Sequence, residues 1–283
     1  MKSRLRTRAG AFVIFAALVL LALPAIVAAQ EQVILDWEED AAGNPIQSGQ
    51  VIDDEYHAMS GVSVTVKVES RYNIAAIFPS HNPPVGPNGV IDPDLGSPNE
   101  TCDGGGPGIG EGGEVGQPGE NCLHHENVLI IPTIWDRNGD GFIDGLPDDD
   151  ANGGTITLLF SEEVIIDYAG ILDQEFEEAL TINAYADIAG TQLLVSENPA
   201  GFGDNSYEEI AINALGARRI DFVFAGSGAI ASVAYTPVTQ TAIDLAGFTA
   251  SSIPAGLYFA LAVAALAIFS VVLVALRYFS NEQ

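Results

Sequence analysis

The run Asp136-Arg137-Asn138-Gly139-Asp140-Gly141-Phe142-Ile143-Asp144 puts oxygen-bearing side chains at positions one, three and five, glycine at six and a carboxylate at nine. Alternate residues of a tight turn point toward one centre, and hard oxygen donors at that spacing suit Ca2+. Gly141 permits the bend, and the Phe142 carbonyl would be the next ligand. The candidate metal set is therefore Asp136, Asn138, Asp140, Phe142, Asp144 and Asp148. Position twelve, which calls for a bidentate carboxylate, is Pro147, and Asp148 stands one place later, so its part is left open. The competing reading is an acidic, glycine-rich hairpin with its charges in water.

Weaker oxygen-rich clusters follow the same logic. Asp36 with Glu38, Asp92 with Asp94, Asp204-Asn205 and the run Asp148-Asp149-Asp150 could each sit at a calcium site or be solvated turns. His124, His125 and Glu126 offer transition-metal donors, but adjacent residues on an extended chain point to opposite faces. Gly108-Ile109-Gly110-Glu111-Gly112-Gly113 matches a dinucleotide fingerprint in letters only. It lacks the preceding strand and following helix that bring a pyrophosphate to a helix N-terminus, and Glu111 and Glu114 would repel phosphate. Nucleophile-elbow and zinc-protease patterns are absent, so no catalytic residue is assigned and the chain is read as non-enzymatic. Acid and base carboxylates for glycoside cleavage would have to be paired in space, which abundance alone does not establish. Asn99-Glu100-Thr101 fits an N-glycosylation sequon.

The D-x-N-x-D-G core of residues 136–141 resembles the calcium loops of dockerin and thrombospondin type 3 repeats over roughly nine residues. That resemblance implies a structural calcium ion, without the helices that flank an EF-hand.

The elements that carry these residues lie between two hydrophobic ends. Lys2, Arg4, Arg6 and Arg8 precede the apolar run Ala11 to Leu23, and Val27-Ala28-Ala29 ends in small residues before Gln30. This is the form of a cleaved secretory signal over residues 1–29, the alternative being an uncleaved anchor. Leu257 to Leu276 is an uncharged run of membrane-spanning length followed by Arg277, which places a short tail, 277–283, in the cytoplasm. The expected organisation is a signal, an extracellular β-sandwich domain over 30–235, a stalk over 236–256 and one C-terminal transmembrane helix, in the cell membrane as a single-pass protein.

Of 38 acidic residues only Glu282 lies beyond the exported range, which holds five basic ones, Lys67, Arg71, Arg137, Arg218 and Arg219. A net charge of about −32 repels phosphate backbones and excludes nucleic acid as a partner. Cations are its natural counter-partners. Cys102 and Cys122, the only cysteines, are expected to form a disulfide in an oxidising compartment, with two unlinked thiols as the alternative.

Val62 to Val68 alternates apolar and polar side chains, the period of a half-buried strand. Similar β-rich runs occupy 33–37, 74–78, 128–131, 155–160, 164–167, 181–186, 192–195, 210–213, 220–224 and 230–235. Residues 173–179 are read as one helical turn or a loop. Short, closely spaced strands predict an all-β fold, a two-sheet antiparallel sandwich of jelly-roll-like form. Eight prolines and many glycines make 79–127 a long surface excursion and the best candidate for a binding surface.

Leu35-Asp36-Trp37-Glu38, Gly61-Val62-Ser63-Val64-Thr65-Val66, Arg219 to Phe224 and Gly228 to Tyr235 resemble segments of prokaryotic cell-surface β-sandwiches of the carbohydrate-binding-module or laminin-G-like sort. The resemblance implies a calcium-stabilised binding or adhesion protein whose partner is a glycan or another surface protein. The aromatic side chain to test is Trp135, beside the calcium-like loop, whose plainer reading is a core tryptophan. An extracellular polysaccharide hydrolase and a structural component of the envelope or a membrane complex are the alternatives.

Overall fold

The computed structural model describes residues 31–176 and 178–238. The expected signal segment, the stalk beyond Val238, the membrane helix and the tail lie outside these. Among the described residues no helix is long and apolar enough to cross a membrane.

The fold is all-β. In chain order the strands are β1 (Val33–Leu35), β2 (Val51–Ile52), β3 (Tyr56–Met59), β4 (Val62–Glu69), β5 (Ala75–Phe78), β6 (Val85–Gly86), β7 (Gly89–Val90), β8 (Val128–Ile130), β9 (Gly154–Leu172), β10 (Leu180–Tyr185), β11 (Leu193–Glu197), β12 (Tyr207–Phe224) and β13 (Ala229–Pro237). Eleven of them join one antiparallel sheet, and β6 with β7 forms a separate two-stranded ribbon. The described residues between 173 and 179 form no helix.

The large sheet doubles over itself along β9 and β12. The first half of β9 pairs with β4 on one side and with the end of β12 on the other, and β12 passes on to β10 and β11. The second half of β9 pairs with the start of β12 and with β13, which passes on to β8 and β5. The ladder bends where Ser161, Glu162 and Glu163 are exposed and where β12 changes register between Ala211 and Arg219. Asn213 and Gly216 adopt positive φ there, a conformation open to Asn and Gly and usual at β-bulges. Each long strand was therefore expected as two short ones, because the bend residues read as turns although the ladder continues through them.

Side chains from the two halves meet in one core. Phe160 of the first half lies edge-on to Tyr235 of the second, with ring centroids 5.2 Å apart, and Trp37 meets Tyr56 edge-on at 5.6 Å. The alternating burial of β4 shows why its valines are spaced by two: Val62, Val64, Val66 and Val68 are inside. By contrast β5 and β8 are buried on both faces. Their continuous apolar runs fit that position, because Phe78, Val128 and Ile130 turn outward into a second, smaller core with Leu95, Leu172, Tyr207, Ala229 and Ala231.

Leu95 belongs to the long excursion, which is thus packed onto the sheet. The disulfide Cys102–Cys122 closes it, with Cα atoms 5.5 Å apart. Its glycines are there for close approach: a Cβ at Gly108 would lie 2.3 Å from the Gly96 carbonyl, and one at Gly113 2.2 Å from that of Asn205. Asn205 is fully buried and gathers the excursion, donating through Nδ2 to the carbonyls of Asp94 and Gly96, both at 2.6 Å, and accepting from Asn99 Nδ2 at 2.8 Å.

Candidate metal centre

The loop Asp136 to Asp144 is largely exposed, apart from the buried Ile143, and is organised by its own carboxylates. Asp136 accepts from the amides of Asn138 (3.1 Å), Gly139 (2.6 Å) and Gly141 (2.9 Å). Those donors hold its carboxyl below the ordinary carboxylate range, the Gly141 amide most strongly. Asn138 Oδ1 accepts from the Asp140 amide, Asp140 from the Phe142 amide, and Asp144 from the Arg137 amide. Positive φ at Gly139 and Gly141 makes the bends. Backbone bonds Val51 N to Gly141 O (2.8 Å) and Ile143 N to Gly49 O (2.9 Å), with a bridge between Gln50 and Phe142, tie the loop to the sheet before β2. A cavity of about 450 Å³ opens there, lined by Asp40, Asp53, Glu55 and Asp140 with Gln47 and Gln50.

The sixth candidate, Asp148, lies elsewhere. Its carboxylate stands with those of Asp92 and Asp149, one ligand oxygen of each within 4.8 Å of the others; the exposed run Asp53-Asp54-Glu55 is the other such group among the described residues. Asp94 and Asp173 adjoin it electrostatically. Three carboxylates thus gather, Asp92 from the excursion with Asp148 and Asp149 from the segment after the loop, and Asp94 of the excursion and Asp173 at the end of β9 lie near enough to act on them.

The backbone places them with care. Asp92 and Asp173 both have positive φ, 50° and 62°, a conformation uncommon outside glycine and often found at functional sites. The Asp149 amide donates to Asp92 Oδ2 at 3.1 Å, the Gly228 amide to Asp149 Oδ2 at 2.6 Å, and the Asn205 amide to Asp173 Oδ1 at 2.7 Å. Asp94 Oδ1 is buried without any hydrogen-bond partner.

No cationic side chain among the described residues pairs with these carboxylates. Among the described residues the ion pairs are Arg219 with Asp221 and His124 with Glu126, both elsewhere. Burial and then the Asp149 charge push the Asp92 carboxyl up to about 10, and burial pushes Asp149 up to about 6. Asp173, only 2 % exposed, is raised well above the carboxylate range by burial and then by Asp94, and Asp148 is raised by burial. Buried charges are normally paired or bound to metal. A hard divalent cation with oxygen ligands fits the gathered carboxylates of Asp92, Asp148 and Asp149, and the partnerless oxygen of Asp94 belongs to a neighbour of Asp92.

The excursion shows why sequence reasoning missed this centre: Asp92 and Asp149 are 57 positions apart, and each pair alone reads as a turn. Asp36 and Glu38 are exposed and gather no such group among the described residues, and Asp204 lies beside Glu175.

The histidines divide as alternation predicts. His124 is exposed against His81, ring centroids 3.9 Å apart, whereas His125 packs on Tyr207 at 4.7 Å. Asn99 of the sequon is fully buried, with its Nδ2 bonded to Gly110 O and Asn205 Oδ1, which leaves no room for a glycan.

Trp135 is not a core residue. It is 46 % exposed and lies parallel to Tyr72, ring centroids 6.1 Å apart, with the Arg71 guanidinium 5.0 Å from the Tyr72 ring centre. The Trp135 carbonyl accepts from the Asp144 amide at 3.2 Å, so the indole is carried on the 136–144 loop.

No family model matches the chain, and no match was found among curated proteins. Among solved structures it is similar to the K1 cleaved adhesin domain of Lys-gingipain from Porphyromonas gingivalis W83, with 11% identity and a TM-score of 0.22 over 42% of this chain and 76% of that one.

Proposed function

We propose that the chain is a calcium-stabilised, non-catalytic binding or adhesion domain, exported and held at the cell membrane by its C-terminal apolar segment. The observation that carries the reading is the partly buried group of Asp92, Asp148 and Asp149, with Asp94 and Asp173 beside it and no cationic side chain among the described residues to balance it. An ion there would tie the excursion, through Asp92, to Asp148 and Asp149. The 136–144 loop is the second, exposed calcium site, and its ion would fix the Trp135 platform.

The same carboxylates suit a shared ion better than hydrolysis with inversion. Asp92, Asp148 and Asp149 each bring one oxygen within 4.8 Å of the others, whereas inverting glycosidases hold their carboxyl groups about 6.5–9.5 Å apart to leave room for water. Trp135, Tyr72 and Arg71 instead offer flat apolar faces and guanidinium donors, which suit the ring face and hydroxyls of a neutral glycan. If so, neutral oligosaccharides will change the fluorescence of the chain and a Trp135→Ala variant will not respond; equal binding by the variant would remove the platform from the reading.

The deciding experiment is a thermal melt of the purified full chain in calcium and in EGTA. Ligand bound only by the folded state at 100 times its Kd adds about 2.7 kcal/mol, which for a domain of this size is a rise of about 5–10 °C. An unchanged melting temperature in millimolar calcium would end the calcium reading.

A further inference from the structure

Three Asn-Gly pairs occur in the chain: Asn88-Gly89, Asn138-Gly139 and Asn152-Gly153. Such pairs can rearrange because glycine has no Cβ to hinder its amide. The Gly139-type nitrogen attacks the side-chain Cγ of the preceding asparagine, a new N–Cγ bond closes a succinimide, the Cγ–Nδ2 bond breaks, and the amide proton leaves with ammonia. Water then opens the ring to aspartate or isoaspartate. The rate depends on a base for the amide proton, a donor for the carbonyl oxygen, and free space.

From the surroundings of these three pairs we infer that Asn138 is a deamidation site built into the 136–144 loop and closed by calcium. Asp136 Oδ1 lies 2.6 Å from the Gly139 nitrogen, seated on the proton that must leave. The Asp140 amide donates to Asn138 Oδ1 at 2.9 Å, where negative charge develops as the ring closes. Both residues are exposed, and a Cβ at Gly139 would meet nothing within 4 Å. An acceptor on the leaving proton, a donor to the carbonyl oxygen and open space around the glycine therefore coincide at Asn138, whose Nδ2 reaches Asp144 Oδ1 only at 3.4 Å.

The other pairs differ in ways that make them controls. The Gly153 amide donates to the Asp150 carbonyl at 2.7 Å and Asn152 Nδ2 to Asp150 Oδ1 at 2.6 Å, while a Cβ at Gly153 would strike the Phe224 carbonyl at 2.3 Å. Asn152 is thus held by a shorter side-chain bond than Asn138, and its glycine has no space around it. Asn88-Gly89 is exposed at the tip of the β6–β7 ribbon, with no carboxylate bonded to the Gly89 amide among the described residues and no part in a calcium loop.

The calcium dependence rests on the reading proposed above. Asp136 and Asn138 are the ligands at positions one and three, so an ion occupies the base and the carbonyl oxygen together and stops ring closure. Conversion to aspartate adds a carboxylate to the loop and tightens it for calcium, whereas isoaspartate inserts a backbone atom and breaks the spacing. An emptied loop therefore records how long it has been without the ion.

The test is peptide mass mapping of the full chain aged in mildly alkaline buffer with calcium chloride or with EGTA. The expected result is conversion at Asn138 roughly tenfold faster in EGTA than in calcium, conversion at Asn88 alike in both, and none at Asn152. An Asp136→Asn variant will slow Asn138 without changing Asn88. No conversion at Asn138 beyond that of Asn152 overturns the inference, as does equal conversion in calcium and EGTA. In the second case the melt separates the causes: if calcium still raises the melting temperature only this inference fails, and if it does not the calcium reading fails with it.

Discussion

The 136–144 loop and the aspartate centre use the same side chain in opposite ways. In the loop each carboxylate faces water and is answered by backbone amides of its own turn. At the centre the carboxylates are partly buried side by side, with Asp173 wholly buried next to them, and the charged groups acting on Asp92, Asp149 and Asp173 are acidic. Solvated acids cost little when the ion is absent, because water screens them. Buried ones are costly unless a proton or a metal ion takes the charge. The exposed motif looks most like a calcium site, yet the buried centre should dominate the energetics.

The largest expected effect separates the two by pH. Asp149 and Asp92 titrate higher in the folded state, at about 6 and about 10, so their protonated forms stabilise the fold at low pH and that contribution is lost as pH rises through these values. In EGTA the melting temperature should fall between pH 5 and pH 8. In calcium the ion replaces the protons and the fall should disappear, with protons released on binding. A flat profile in EGTA would show that the centre is not strained by charge.

A variant should invert in sign at the buried centre. Asp149→Asn removes one negative charge, so it should raise the melting temperature in EGTA and reduce the gain from calcium by about half, each change worth about 1–2 kcal/mol. Destabilisation in both conditions would point to its hydrogen bond with Gly228 as the main role of Asp149.

The smallest effect belongs to the loop. Asp136→Ala with Asp140→Ala removes local turn bonds at an exposed site and should cost about 1 kcal/mol, leaving most of the calcium-induced rise in place. If that pair abolished the whole rise, the order of the two sites would be reversed and the buried acids would hold protons instead of calcium.

What was legible in the sequence followed from locality. The valines of β4 alternate, so the strand and its inward face could be read directly, and the cysteines could be paired because there are only two. The 136–144 motif is contiguous and keeps its turn. The bend of β9 and β12 was hidden because Glu162, Glu163, Asn213 and Gly216 have the composition of turns, although inter-strand bonds carry the ladder past them. The aspartate centre was hidden for a different reason. Its members come together only when the excursion folds back, guided by Asn205 and by glycines whose role is close backbone contact. Trp135 could equally have been core or surface, and only the packing beside Tyr72 decides it.

The position of β13 has a mechanical consequence. The last described strand ends at Pro237, paired with β9 along most of its length and flanked on its other side by β1 and β8. The last described strand is therefore an interior one of the sheet. A pull applied along that strand from beyond Val238 is shared by the bonds on both its sides, which must slide together instead of opening one after another. A domain built this way bears load best along the axis of β13.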